Sequence, residues 1–131
     1  MATKVSADVA NQVDITARRG DSFYLKIVLT NQDGSVYNLV DSANDDYQAD
    51  MKIYNTNDQE LIGLTSKSSA SSPEIANTIT VTSSTGELVV ETTANNMNLF
   101  AASYKYKVYV SSSTDNETNT VLVGKFKVID L

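Results

Sequence analysis

ITARRGDSFYLKIVLTNQDGSVYNL, residues Ile15 to Leu39, decides how the rest of the chain is read. Phe23, Leu25, Ile27 and Leu29 alternate with Tyr24, Lys26, Val28 and Thr30. A period of two sends the first set to one face of a pleated strand and the second to the other, so one face is core and the other is at least half wet. Arg19-Gly20-Asp21 interrupts the pattern on one side, because glycine takes the positive φ that a tight reversal needs and aspartate bonds its own backbone. On the other side, Asn31-Gln32-Asp33-Gly34 is a hairpin signal. The local expectation is a three-strand meander with an apolar face on which later strands pack.

Working outward, residues 1–12 are small and polar and read as a flexible N-terminal arm, ordered only by a partner. Val13, Ile15 and Ala17 make a short first strand. Val40 to Asp46 is an acidic loop, and Tyr47, Ala49, Met51 and Ile53 alternate in the next strand. Leu61, Ile62 and Leu64 surround Gly63, where a bulge is expected. Lys67 to Glu74, with the one proline, Pro73, reads as a serine-rich surface loop. Ile75, Asn77, Ile79 and Val81 predict a β-branched strand, and Leu88 and Val90 share a face of the next. Met97, Phe100 and Ala101 have helical spacing, which predicts one short helical turn across an end of the core. Tyr104, Tyr106, Val108 and Val110, then Leu122, Gly124, Phe126 and Val128, mark the inward faces of the last two strands.

About seven to nine short strands with turn signals between them predict an all-β fold, residues 13–131 forming a single antiparallel immunoglobulin-like β-sandwich. Half-polar strands suit two sheets face to face, each with one wet side.

Composition narrows the chemistry. With 10 Lys and Arg against 16 Asp and Glu, the net charge of −6 argues against electrostatic binding of nucleic acid. No Cys and no His are present, which excludes thiol chemistry, Ser-His-Asp triads and His-based zinc sites. No apolar run approaches the roughly 20 residues of a membrane span, and the N-terminus lacks the apolar stretch of an export signal. No cofactor, metal or membrane partner is expected.

The opening pattern carried by Asp14, Ile15, Gly20, Asp21, Ser22, Phe23, Leu25, Ile27, Leu29, Asp33, Gly34, Tyr37 and Leu39, with Arg18 or Arg19 ahead of the glycine, resembles that of a β-sandwich family of tailed-phage virion proteins. That family includes the N-terminal modules of upper baseplate proteins. Its closing pattern is matched by Tyr104, Tyr106, Val108, Leu122, Gly124, Lys125, Phe126 and Val128. The resemblance implies a non-enzymatic virion structural protein, assembled in the bacterial host cytoplasm, that docks on other virion proteins. Baseplate members usually continue into coiled-coil or receptor-binding regions, whereas this sequence ends at Leu131, so the expectation is an auxiliary or decoration protein on the capsid. The partner expected first is the major capsid protein, with homo-oligomers on the particle a further option. A baseplate or tail-fibre adaptor is the alternative.

Several motifs compete with that reading. Arg19-Gly20-Asp21 spells an integrin-type tripeptide, but a turn explains it. Asp41, Asp45 and Asp46 offer oxygens to a hard cation without the spacing of a calcium loop, so a solvated acidic loop is expected. Glu87 and Glu91 share a strand face, a pairing that glycosidases use, although nothing in the sequence marks a cleft. Asn116-Glu117-Thr118 is a sequon that acts only in a secreted eukaryotic protein. The outward tyrosines Tyr24, Tyr54 and Tyr109, beside Lys26 and Lys107, are the candidate protein-docking residues, because tyrosine buries much area at little entropic cost. A planar row of them would instead suit a carbohydrate-binding module. A bacterial surface adhesin domain is the third class considered.

Overall fold

The computed structural model of the chain describes residues 2–6 and 11–130. Among these described residues, eleven strands and one 3-10 turn follow in order: β1 (Ala2–Ser6), β2 (Asn11–Gln12), β3 (Ile15–Arg18), β4 (Phe23–Thr30), β5 (Gln48–Tyr54), β6 (Glu60–Thr65), β7 (Glu74–Ile75), β8 (Ile79–Thr82), β9 (Glu87–Thr92), the turn η1 (Ala94–Met97), β10 (Ala102–Ser112) and β11 (Glu117–Ile129). The smaller sheet runs β1-β4-β9-β8 and the larger runs β2-β11-β10-β5-β6-β7, with β3 also paired to β11. Alternation decides which side chains go inward. Ile27, Leu29, Leu88 and Val90 from the smaller sheet, and Met51, Ile53, Val108 and Phe126 from the larger, are fully buried in one common core. Phe23 and Phe126 meet edge to face across the two sheets with centroids 5.5 Å apart.

Several strand partners differ from expectation. The meander over Ile15 to Leu39 does not form, because β3 pairs with β11 in the larger sheet while β4 pairs with β9 in the smaller. Arg19-Gly20-Asp21 is thus a crossing between sheets, held by Arg19 N–H donating to Ile129 O at 2.8 Å, with Gly20 at φ 87°. The Asp33-Gly34 turn forms, with Gly34 N–H donating to Asn31 O at 2.9 Å and Gly34 at φ 88°. Only the single bridge Thr30↔Val36 follows it, however, and Leu39 then plugs the core.

The central ladders are antiparallel, but the edge pairs β1 with β4, β2 and β3 with β11, and β6 with β7 are parallel. Where a loose arm was expected, Ala2–Ser6 lies along the edge of β4 and Asn11–Gln12 along β11, so unpaired backbone at two strand edges is satisfied there. The rest of that arm, residues 1 and 7–10, lies outside the described residues.

The stretch Ile75 to Val81 is two strands, not one. Asn77, at φ 58°, turns the chain out of the larger sheet, and Thr78 anchors the crossing by donating from Oγ1 to Ile75 O at 2.8 Å. The bulge in β6 falls at Leu61, between Ile53↔Ile62 and Tyr54↔Glu60, and not at Gly63. A second bulge, at Val121, lets both Val121 and Leu122 reach the core. The expected helical turn is η1, which buries Met97, but Phe100 has left it and is 73% exposed.

Candidate docking face

Tyr54 and Tyr109 stand on the outer face of the larger sheet, on the adjacent strands β5 and β10. Register places Lys105 opposite Tyr54, Lys107 opposite Lys52, and Tyr109 opposite Asp50. The Lys107 ammonium therefore sits between the two rings, 5.9 Å from the Tyr54 centroid and 5.3 Å from that of Tyr109. Both distances lie within cation–π range. Burial, then the nearby Asp50 charge, pushes the Tyr109 phenol up.

Beside this pair lies a half-buried ion network. Lys52 Nζ is 3.1 Å from Glu60 Oε1 and 3.3 Å from Glu74 Oε2, and Lys67 Nζ is 3.3 Å from Glu74 Oε1. Burial works against the Lys52 ammonium, but hydrogen bonds to Glu60 and Glu74 and the neighbouring Tyr109 outweigh it and hold it above the usual lysine range. The network ties β5, β6 and β7 together and gives the face a fixed pattern of charge.

Of the residues singled out from sequence, Tyr54, Lys107 and Tyr109 are brought together, whereas Tyr24 and Lys26 are not. Those two lie on β4, in the other sheet, where Lys26 Nζ is 3.5 Å from Glu87 Oε2 and Tyr24 is 52% exposed opposite Glu91. The face also contains residues that sequence reasoning missed. Lys125, opposite Lys105, and Lys127, beside Thr16, are exposed on β11, and Arg18 is exposed at the edge on β3. Their signal is the alternation Lys125-Phe126-Lys127-Val128, which gains meaning only once β11 is known to lie against β10.

The other candidates find ordinary structural roles. Asp41 organises its own loop: Oδ1 accepts from Ala43 N–H at 2.9 Å and Asp45 N–H at 3.1 Å, and Oδ2 accepts from Ser112 Oγ at 3.1 Å. The Asp45 backbone bond leads in holding its carboxyl below the usual range. With Asp45, Asp46 and Glu117 it lines a polar groove of about 380 Å³. Among the described residues, no three acidic side chains are grouped to hold a metal. Arg19 is engaged with Asp130 at 3.7 Å and covers the Phe100 ring at 4.9 Å, which ties the tripeptide to the C-terminal strand. Among the described residues, no helix is long and apolar enough to cross a membrane.

The chain matches no known protein family, and no curated protein is significantly similar to it.

Proposed function

We propose that this chain is a non-enzymatic, immunoglobulin-like docking module of a tailed-phage particle, attached to the capsid as an auxiliary or decoration protein. The observation that carries the docking part is the Tyr54–Lys107–Tyr109 cluster on the outer face of the larger sheet. The two tyrosines are of the residue type enriched at protein interfaces, and the cation between them and the adjoining ion network limit their side-chain freedom. Little ordering entropy is then lost on contact. The capsid assignment rests on the resemblance carried by the opening and closing strands, with the major capsid protein as the expected partner.

Carbohydrate binding is the weaker reading. It calls for a row of free ring faces, yet Tyr24 belongs to the opposite sheet and an ammonium stands over both remaining rings.

The test is co-sedimentation of the purified protein with assembled capsid shells of its source phage. Saturable binding at a fixed ratio to capsid subunits, lost in Tyr54→Ser/Tyr109→Ser, is the expected result. Recovery on tails or on a glycan array, with none on shells, overturns the capsid assignment.

A further inference from the structure

The chain has six more carboxylates than cations, since 16 less 10 is 6, so most cations would be expected to find a carboxylate partner. Arg19, Lys26, Lys52, Lys67 and Lys105 do, the last with Asp58. Among the described side chains, the cations with no carboxylate in ion-pair reach are Arg18, Lys107, Lys125 and Lys127. All four stand on the outer face of the larger sheet. Lys105 and Lys125 are even directly opposite one another across the β10–β11 ladder, a like-charge pairing that costs stability. The patch spans β3, β11 and β10, two strand spacings or roughly 10 Å.

Part of the opposite charge is gathered elsewhere, although Asp50, Asp58, Glu60 and Glu74 accompany the β5 side of the same face. No Lys or Arg occurs between Lys26 and Lys52 or between Lys107 and Lys125, while those two stretches hold Asp33, Asp41, Asp45, Asp46, Asp50, Asp115 and Glu117, of which Asp50 is buried opposite Tyr109 on the larger sheet. The fold brings Asp41, Asp45, Asp46, Asp115 and Glu117 to one end of the molecule, where Ser42 N–H donates to Asp115 Oδ2 at 3.1 Å and the polar groove is lined by carboxylates from both stretches.

We propose that the basic β3–β11–β10 side of the larger sheet's outer face receives the acidic loop end of a second copy of this chain, in a repeating head-to-face contact. The proposal rests on the reading of that face as a docking surface and puts a second copy on its β3–β11–β10 side, leaving the Tyr54 side on β5 to the capsid subunit. A long polyanion fits less well, because beyond the patch it would run over a protein of net charge −6. A second copy presents Asp41, Asp45, Asp46 and Glu117 along one groove to match the patch. Because the two surfaces differ, the contact is heterologous and builds rings or open chains rather than a closed twofold dimer.

Sedimentation velocity on the intact protein tests this. Self-association is expected at about 20 mM salt and should weaken at least tenfold at about 500 mM, as screening shortens the reach of the charges. Lys125→Glu/Lys127→Glu and Asp45→Lys/Asp46→Lys should each be monomeric, with unchanged circular dichroism since all four side chains are exposed. Mixed, the two variants should associate again, because the acidic loop of one meets the basic face of the other and the reversed loop meets the reversed face. A monomer at low salt, or association that salt and both variants leave unchanged, overturns the proposal. If the protein is monomeric yet still binds shells, the occupant is wrong and the docking face stands; if shell binding is also absent, both fall.

Discussion

Gly124 has a packing role that its place in the apolar alternation of β11 does not reveal. A Cβ there would land on the Val13 carbonyl and 3.1 Å from Asp14 Oδ1, where the chain between β2 and β3 presses against β11. Backbone cannot yield as a flexible side chain can, so Gly124→Ala should cost about 2–3 kcal/mol, read from the urea midpoint at unchanged slope. The same carbonyl accepts the Tyr106 hydroxyl. Burial first, then the Asp14 charge, pushes this phenol up to about 12. The folded state therefore keeps the proton longer than the unfolded chain, whose phenol titrates near 10. Stability from this group is complete below about pH 10 and is lost as pH rises toward about 12. Tyr106→Phe should cost about 1 kcal/mol at neutral pH, and its stability should fall less steeply over that alkaline window, as followed by denaturant titration.

At the scale of strands, Lys52 fastens three of them. Its side chain is 19% exposed between Glu60 and Glu74. Removing it leaves two carboxylates facing each other, so Lys52→Ala should cost about 1–2 kcal/mol and release β7, seen as faster proteolysis in the serine-rich loop before it. Glu74 supplies the pH dependence. Burial raises its pKa, but hydrogen bonds from Lys52 and Lys67 prevail and the net shift is downward. A lowered carboxylate pKa stabilises above the unfolded value, near 4.3, and that contribution disappears as pH falls through the folded value. Acid titration of the fold should therefore be shallower in Glu74→Gln than in the parent. Strand β1 supplies a different kind of support. It satisfies the ladder of β4 from Ala2↔Lys26 to Ser6↔Thr30, so deleting residues 1–6 should bare that edge and raise light scattering at fixed concentration. Unchanged scattering would mean that the edge needs no cover.

For the molecule as a whole, a period of two reports which face a side chain takes and is silent on which strand lies beside it. That is why Phe23, Ile27, Leu29, Val108 and Phe126 were readable as core from sequence, while the placement of β3 and β4 in different sheets was not. Parallel edge pairs such as β6 with β7 leave no local turn signal at all. The same gap separates the tyrosines. Tyr24, Tyr54 and Tyr109 are alike as outward residues of alternating strands, and only the pairing of β5 with β10 gathers two of them around Lys107 and leaves the third on the far side. Lys125 and Lys127 join the face through the β10–β11 register, beyond the reach of any local pattern.

The proposed docking through the outer face of the larger sheet is tested most directly by hydroxyl-radical footprinting of the protein free and bound to shells. Tyr54 and Tyr109 should lose reactivity on binding while Tyr24, exposed on the smaller sheet, keeps it. Protection of Tyr24 with Tyr54 and Tyr109 unchanged would put the contact on the opposite face and contradict the account.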